Sequence, residues 1–178
     1  TDITDRKRTG EALRESEMRF RVAQEMSPDG FTILHPVQNE KGEIIDFTWI
    51  FENSTIALIN GTDPQKVIGK RLLELFPNHR ETPVFEAYLH VANTGETRVL
   101  EEISVGEIVS KPMWLRLVVV SMGKDIAILA HDITDRKQAE IKLSFQASLL
   151  EQVHNGVIAI DLDNKILFWN KFAEELYQ

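Results

Sequence analysis

The sequence contains no cysteine among its 178 residues. This absence excludes a disulfide-stapled scaffold, a thiolate metal site, a cysteine nucleophile and any chromophore attached through a thiol. The chain also lacks any apolar run close to the ~20 residues that a helix needs to span a bilayer. We therefore expect a chain without a membrane span, located in the cytoplasm.

The motifs that carry most recognisable catalytic chemistry are also missing. There is no GxxxxGK(S/T) phosphate loop, no GxGxxG dinucleotide loop, no HExxH zinc site and no GxSxG nucleophile turn. The five histidines, at positions 35, 79, 90, 131 and 154, have no spacing typical of a metal site. A net charge of −8 argues against a broad nucleic-acid surface. We predict no catalytic residue, no metal site and no nucleic-acid partner within this chain.

The most informative feature that is present is an internal repeat. The pentapeptide Ile-Thr-Asp-Arg-Lys occurs at 3–7 and again at 133–137. Later landmarks also correspond, since Gly30 parallels Gly156 and Asn53 parallels Asn170. The landmarks lie closer together in the second copy, as loops of variable length on a common scaffold would allow. The pattern predicts one full unit followed by the beginning of another.

Within the full unit the predicted order of elements is β-β-α-α-α-β-β-β. The strands are predicted at 31–35, 44–51, 98–109, 113–122 and 126–133. The third helix begins at Thr82-Pro83 and carries an apolar stripe at Phe85, Tyr88, Leu89 and Ala92. Consecutive strands joined by tight turns imply an antiparallel sheet of five strands. Since the stripe must be buried against one face of that sheet, the predicted fold class is α+β.

Charged helical segments flank this unit on both sides. Each carries a thin apolar seam, at Leu13 and Phe20 in the first segment and at Leu143 and Leu150 in the second. The seam spans only about two heptads, so it is a weak coiled-coil signal. Two interpretations stay open: the seams join two copies of the chain in a dimer, or they pack locally on their own domain.

Several segments, taken in order, resemble motifs of the PAS family: SPDGFTIL, FENSTIALING with DPQKVIGK, TGETRVLE and HDITDRK. The resemblance covers about residues 20–137, and the C-terminal segment GVIAIDLDNKILFWNKFAEELYQ resembles the opening of another PAS domain. It implies a linker helix at 1–19 after a preceding PAS unit, a complete PAS domain at 20–137, a linker helix at 138–154 and a truncated second PAS domain at 155–178. The implied fold is a five-stranded antiparallel sheet with short helices on one face, flanked by amphipathic linker helices.

The resemblance also implies a function. A PAS unit of this kind is expected to be a sensory, signal-transmitting and dimerisation module of a bacterial-type signalling protein, and a two-component sensor histidine kinase is the expected parent. The expected partners are a second copy of the chain, bound through the linker helices, and the adjacent PAS and effector domains. The alternatives are a PAS module of a diguanylate cyclase or phosphodiesterase, and a dedicated small-molecule or heme sensor.

In the PAS family a ligand lies between the sheet and the short helices. The corresponding candidate lining here consists of Ile33, Trp49, Phe51, Leu72, Phe85, Leu89, Val118, Val120 and Ile128. These residues could enclose a small apolar ligand, or they could simply fill the space as a packed core. No cofactor is required. Heme is disfavoured because His90 does not fall at the family's ligand position near the helix start, and a cysteine-adduct flavin is excluded.

One charged residue interrupts the apolar strand WLRLVVV, and one short motif follows the last strand. Arg116 has the strand parity of Val118 and Val120, and we expect it to pair with a carboxylate such as Asp132 or to lie at an exposed strand end. Asp132, Thr134 and Asp135 stand where the last strand becomes the exit helix. Thr134 or Asp135 could cap that helix, and a cap contributes about 0.5–2 kcal/mol.

A contribution of that size can bias a two-state equilibrium between linker arrangements. We therefore hypothesise that this junction passes changes in the sheet to the seam at Leu143 and Leu150. The alternative is an ordinary strand-to-helix cap.

Overall fold

Five strands in the first part of the chain form a single antiparallel sheet. A computed structural model describes residues 2–105, 113–152 and 155–177. The strands are β1 (Gly30–Gln38), β2 (Ile44–Glu52), β3 (Arg98–Val105), β4 (Met113–Met122) and β5 (Asp125–Asp132). Their order across the sheet is β2-β1-β5-β4-β3. The predicted α+β fold class with a five-stranded antiparallel sheet is confirmed, although the predicted extension of the third strand to 109 lies outside the described residues.

A row of short helices connects β2 to β3. They are α2 (Ser54–Asn60), α3 (Pro64–Val67), α4 (Leu72–Leu75), a 3-10 helix (Pro77–Glu81) and α5 (Pro83–Thr94). The side chain of Thr82 accepts a hydrogen bond from the backbone N–H of Phe85 and so caps the start of α5. Helix α5 ends at Gly95, whose φ of 76° is left-handed and therefore favours glycine. The short helices thus begin and end where local capping chemistry allows.

The core lies between these helices and one face of the sheet, which we call the inner face. Phe47 of β2 is completely buried there. Its ring meets the rings of Phe85 and Tyr88 edge-on, with centroids 5.7 and 5.8 Å apart. Edge-to-face contacts of this kind add to the stabilisation that burial alone supplies. Phe47 therefore holds α5 against the sheet.

The opposite, outer face of the sheet contacts the N-terminal helix α1 (Asp2–Glu25). Phe20 of α1 lies against Phe31 and Phe51, with ring centroids 6.0 and 5.8 Å away. Phe31 and Phe51 belong to β1 and β2, so the contact joins the helix to two neighbouring strands. The first unit of the structure, residues 1–133, accordingly includes α1.

The second unit covers residues 134–178 and holds less secondary structure. It consists of α6 (Thr134–Gln152), an antiparallel hairpin of β6 (Ile158–Ile160) and β7 (Ile166–Trp169), and α7 (Lys171–Tyr177). Ala173 and Asn170 are its two fully buried residues among those described. The hairpin and α7 therefore share a very small core.

The side chain of Asn53 joins three elements of the first unit through hydrogen bonds. Its Oδ1 accepts hydrogen bonds from the backbone N–H of Phe31 and of Ile56, at 2.9 and 3.0 Å. Its Nδ2 donates to the backbone oxygens of Gln24 and Asp29, at 2.8 and 2.9 Å. The side chain is fully buried. One amide group thus satisfies four backbone groups at the end of α1, the start of β1 and the start of α2.

Asn170 does the same in the second unit. Its Oδ1 accepts from the backbone N–H of Val157 and of Ala173, at 2.9 and 3.1 Å. Its Nδ2 donates to the backbone oxygens of Leu150 and Asn155, both at 3.0 Å. The two asparagines therefore occupy corresponding places, each joining the end of a long helix to a strand and to a following helix.

Candidate functional site

A cavity of about 80 Å³ lies between the inner face of the sheet and the short helices. A space that holds one water needs about 10–15 Å³ on this measure, so the cavity has room for roughly five to eight. The part of its wall that the sheet supplies consists of Thr32, Leu34, Trp49, Leu115, Leu117 and Ile128. The sheet wall is therefore apolar apart from one hydroxyl and one indole N–H.

The helices supply the rest of the wall. The lining residues on this side are Ile56, Asn60, Leu72, Phe76, His79, Val84 and Tyr88. Over the part of the chain that the structure describes, no Lys, Arg, Asp or Glu lines the cavity. The arrangement suits an uncharged occupant, because a buried charge needs a partner to offset the loss of its hydration.

Some residues that the sequence assigned to a pocket do lie at this cavity. Trp49, Leu72 and Ile128 line it. Phe85 is buried in the adjoining core, and Leu89 packs against that core from a half-buried position. Neither Phe85 nor Leu89 lines the cavity, because Val84 and Tyr88 on the neighbouring positions of α5 face it instead.

The predicted place of Val118 and Val120 in the pocket is wrong, because both lie on the outer face of the sheet. Side chains alternate along a strand, and in β4 it is Leu115, Leu117 and Val119 that are buried in the core. Val118 and Val120 line a groove on the outer face, beside α1. One feature of the sequence indicates this face. Arg116 has the same strand parity as Val118 and Val120, and a charged side chain is typical of the more exposed face.

Ile33 and Phe51 also belong to the outer face. In β1, Thr32 and Leu34 line the cavity, so alternation places Ile33 on the opposite face, whereas Phe51 needs a further explanation. Ile33 pairs with Phe51, but the next residue, Leu34, pairs with Trp49. One residue of β2 is therefore extra, and this β-bulge reverses the alternation between Trp49 and Phe51. Without the bulge, Phe51 would share the inner face with Phe47 and Trp49. The residue types of β2 do not indicate this bulge.

Arg116 pairs with a carboxylate, as expected, but with a different one. Its Nε lies 2.8 Å from Oε2 of Glu101, and the pair is partly exposed. Glu101 lies on β3, the neighbouring strand, whereas Asp132 lies opposite Leu115 in the register of β4 and β5. Arg116 is thus a surface ion-pair residue rather than an anchor for a ligand.

His90 also lies away from the cavity. Its Nε2 is 3.2 Å from Oε2 of Glu96, and its Nδ1 is 3.2 Å from the guanidinium of Arg98. These contacts form a polar cluster at the end of α5 and the start of β3. The histidine of the cavity is instead His79, which follows α4 in the 3-10 helix.

Two titratable groups at the cavity are held in their neutral forms. Burial lowers the pKa of His79, so its imidazole carries no proton charge at neutral pH. Burial raises the pKa of the Tyr88 phenol, which therefore stays protonated. The rings of His79 and Tyr88 lie 5.9 Å apart. Both groups can offer hydrogen bonds to an occupant without adding charge to the wall.

A buried carboxyl group lies at the end of β2, next to Asn53. Glu52 is 2% exposed, and Oγ1 of Thr62 donates a hydrogen bond to it at 3.0 Å. Burial raises the pKa of Glu52, and the nearby charge of Asp63 raises it further, while the bond from Thr62 lowers it. The net direction is upward, so ionised Glu52 destabilises the folded state.

We expect Glu52→Gln to raise the midpoint of thermal unfolding at pH 8. The folded pKa lies above the unfolded one, so the folded state loses stability as pH rises through the two values. The gain should shrink as pH falls and disappear near pH 4, where the carboxyl is largely protonated in both states. Calorimetry between about pH 4 and pH 8 measures the midpoint of thermal unfolding, and Glu40→Gln at an exposed position is the control. A gain that grows toward acid pH would contradict the assignment.

The junction after the sheet is a direct one. Ile128 lines the cavity, and the same strand, β5, ends at Asp132. Ile133 follows; it is buried, and its backbone N–H donates to the oxygen of Trp114 at 2.8 Å. Helix α6 then begins at Thr134, without an intervening loop. Ile133 is the anchor of this junction, and its burial distinguishes it from the exposed Asp132 before it.

The three junction residues predicted from sequence surround this anchor. Asp132 is the last residue of β5 and is exposed, while Thr134 is the first residue of α6. Asp135 lies in the first turn of α6, where a negative charge interacts favourably with the helix dipole. A capping residue lies just before the first helical residue. Because α6 begins at Thr134, the capping position belongs to Ile133 rather than to Thr134.

The seam residues of the two long helices differ in their surroundings. Leu13 on α1 is 60% exposed, and Leu143 on α6 is 66% exposed. Leu150 is also exposed. Phe20 is the exception, since its ring packs on the outer face of the sheet. Within each unit taken by itself, three of the four seam positions therefore remain open to a further partner.

The described ranges, 2–105, 113–152 and 155–177, contain neither a membrane-spanning helix nor a cluster of metal-binding side chains. None of the helices there combines the length and the apolar character that crossing a bilayer requires. In the same ranges no group of three or more His, Asp or Glu side chains is placed to hold a metal ion.

Comparisons with known proteins agree with this geometry. A family model described as the PAS fold matches residues 45–138, and a PAS domain model matches residues 144–178. No curated protein sequence matches the chain.

Three solved structures to which the chain is similar are the following. An RNA-binding light-oxygen-voltage receptor is 16% identical, with a TM-score of 0.53 over 75% of this chain and 37% of the receptor. The PAS domain of an HTR-like protein from Haloarcula marismortui is 16% identical, with a TM-score of 0.45 over 71% of this chain and 99% of that domain. The PAS domain of nitrogen regulation protein NR(II) from Vibrio parahaemolyticus is 11% identical, with a TM-score of 0.43 over 64% of this chain and 96% of that domain.

The chain thus spans little more than a third of the receptor to which it is similar, and that likeness concerns the fold alone. The first family match is more informative, because it covers more than half of the chain and includes the cavity helices, β3 to β5 and the junction. The chain belongs to the PAS family, and it is a PAS sensory module.

Proposed function

We propose that the chain senses a small molecule in the cavity and passes the resulting change through the β5–α6 junction to an effector domain. A two-component sensor histidine kinase is the proposed parent, as the resemblance of the sequence motifs implies. The observation that carries the proposal is the continuity of β5. The strand that supplies Ile128 to the cavity wall leads directly into α6 through the buried residue Ile133.

A change in the cavity has a short mechanical path to the helix. Leu115 and Leu117 of β4 line the cavity, and the backbone of Trp114 in the same strand accepts the hydrogen bond of Ile133. A displacement of β4 or β5 by an occupant therefore acts on the residue that precedes α6. Packed elements respond to such shifts by switching between discrete arrangements rather than by deforming continuously.

The sequence organisation is proposed to be a tandem one. We assign a linker helix to 1–19, a complete PAS domain to 20–137, a second linker to 138–154 and the start of another PAS domain to 155–178. The matching hydrogen bonds of Asn53 and Asn170 support this, as does the PAS domain match at 144–178. The proposal makes α6 a connection between two sensory units.

The linker helices are proposed to join two copies of the chain. The support is the open apolar surface at Leu13, Leu143 and Leu150. Sedimentation velocity of the 178-residue chain should then give a mass near twice 20.4 kDa. Leu143→Asp should shift the chain toward the monomer, and a wild-type chain that sediments as a monomer at high concentration would contradict the dimer.

The junction is tested in the full-length protein by Thr134→Ala and Asp135→Ala, which change the first turn of α6. A cap or first-turn contribution of 0.5–2 kcal/mol corresponds to a change of about 2- to 30-fold in a two-state population. We expect each variant to change the rate of autophosphorylation with ATP within that range. Glu86→Ala, an exposed substitution on α5, should leave the rate unchanged.

Two results would separate the parts of this proposal. Junction variants that melt like the wild type and phosphorylate at its rate would contradict transmission through the junction. A parent protein that does not phosphorylate itself but synthesises or hydrolyses cyclic di-GMP would contradict the kinase and favour the cyclase or phosphodiesterase alternative.

A further inference from the structure

We infer that the cavity takes a small, uncharged molecule that carries a hydrogen-bond acceptor, and that the indole N–H of Trp49 holds this acceptor. The inference rests on the proposed function, since it names the chemical class of the ligand that the same cavity would sense. It depends on three features of the cavity: an unpartnered donor, a wall without charge and a small volume.

Trp49 supplies the donor. It is 2% exposed, its side chain lines the cavity and its ring packs against Phe76 at a centroid distance of 5.9 Å. Its Nε1 is the one buried side-chain nitrogen or oxygen, among those of the described residues, that has no hydrogen-bond partner. An indole N–H can only donate, so it is satisfied only by an acceptor.

Packing alone accounts for the ring of Trp49 but not for its N–H. Buried tryptophans usually find a partner for this group, and an unpartnered buried donor in a native structure calls for an explanation. A phenylalanine would contribute an aromatic ring to the same wall without an unsatisfied donor. An occupant with an oxygen or aromatic nitrogen at the Trp49 wall provides the missing partner.

The other polar groups of the wall limit the charge of that occupant. Thr32 already donates its hydroxyl hydrogen to the backbone oxygen of Phe51, at 2.7 Å. His79 and Tyr88 are neutral, and the lining offers no Lys or Arg as a counter-ion within the described part of the chain. A carboxylate or phosphate would therefore be buried without a partner, which is strongly unfavourable.

The cavity volume limits the size of the occupant. At about 80 Å³ the cavity suits a compact molecule of roughly five to eight non-hydrogen atoms. Small cyclic ketones, lactones and ethers meet all three requirements. Apolar hydrocarbons meet only the requirements of size and charge, and they leave the N–H of Trp49 unpaired.

The test compares three probes of similar shape on the ¹⁵N-labelled 178-residue chain by NMR. Cyclopentanone carries an acceptor, methylenecyclopentane replaces its C=O by C=CH₂, and cyclopentanecarboxylate adds a charge. The indole N–H signals of Trp49, Trp114 and Trp169 are assigned from single Trp→Phe variants. Cyclopentanone should shift the Trp49 proton signal downfield in a saturable way, and it should bind about five- to tenfold more tightly than methylenecyclopentane.

The substitution Trp49→Phe should remove that preference, so that the ketone and the hydrocarbon bind alike, while the control Trp114→Phe should retain it. The carboxylate should bind at least tenfold more weakly than the ketone, as an uncharged wall requires. The downfield shift in the wild-type chain is independent evidence for the N–H···O bond, so the test survives even if Trp49→Phe does not fold.

Three results would overturn the assignment: equal affinity of wild type for the ketone and the hydrocarbon, a preference that persists in Trp49→Phe, or tighter binding of the carboxylate. Each of these leaves a cavity that binds small molecules, so the proposed function stands and only the ligand class fails. Absence of binding by all three probes would overturn both this inference and the sensing of a small molecule in this cavity.

Discussion

Replacing Asn53 with alanine is expected to lower the free energy of unfolding of the first unit by about 3–5 kcal/mol. The fully buried amide satisfies two backbone N–H groups and two backbone oxygens. Alanine leaves all four without that partner, and each unmet buried group costs about 1–3 kcal/mol before the structure relaxes. Denaturant unfolding followed by tryptophan fluorescence measures the effect, in a Trp169→Phe background that restricts the signal to the first unit.

The matched control is Asn93→Ala. The Nδ2 of Asn93 donates to the backbone oxygen of Leu89 on the exposed side of α5, so its loss should cost about 0.5 kcal/mol or less. Asn53→Asp should destabilise nearly as much as alanine, because a carboxylate would face the backbone oxygens of Gln24 and Asp29. If Asn53→Ala costs no more than Asn93→Ala, the amide does not hold these elements together.

The expected loss bears on the proposed transmission because Asn53 joins the long helix α1 to the sheet. The carboxylate of Glu25, in the last turn of α1, adds a second tie by accepting a hydrogen bond from the backbone N–H of Ser54. Glu151 of α6 makes the corresponding contact with the backbone N–H of Lys171. Each long helix therefore ends against a strand and a short helix that are fixed to it by side chains, which is a suitable arrangement for passing a displacement along the chain.

The sequence predicted the sheet well because its signals are local. Alternating apolar residues identify strands such as β4, and polar or glycine-containing turns separate them, so the strand count and the antiparallel order follow. The position of Asn53 at the start of α2 was also visible, since its counterpart Asn170 recurs in the same context. The hydrogen bonds to Gln24 and Asp29 were not visible, because they join residues more than 20 positions apart.

The cavity was harder to predict because its wall is set by tertiary structure. The bulge beside Trp49 decides which face Phe51 takes, and no residue type marks it. The apolar stripe predicted for α5 includes Leu89, which packs against the core, and omits Val84, which lines the cavity. His79 was unrecognisable as a cavity residue, because only the fold of the 3-10 helix brings it beside Tyr88.

Phe47→Ala is the second substitution with a large expected effect, a loss of about 3–5 kcal/mol in the free energy of unfolding. Phe47 is completely buried, and removal of its ring deletes both edge-to-face contacts with α5 and leaves a void beneath that helix. Tyr88 of α5 lines the cavity, so a less firmly packed α5 should also weaken the binding of cyclopentanone in this variant. Denaturant unfolding and the NMR titration described above measure the two effects.

Phe47→Leu should lose about 1–2 kcal/mol, because most of the volume remains. Leu58→Ala removes an apolar side chain that is 79% exposed on α2 of the same unit, and should cost about 0.5 kcal/mol or less. The loss in free energy of unfolding should thus be largest for Phe47→Ala, smaller for Phe47→Leu and smallest for Leu58→Ala. A loss at position 47 as small as the one at 58 would mean that α5 is not held on the sheet by this ring. The PAS arrangement of helices over the inner face would then need another source of stability.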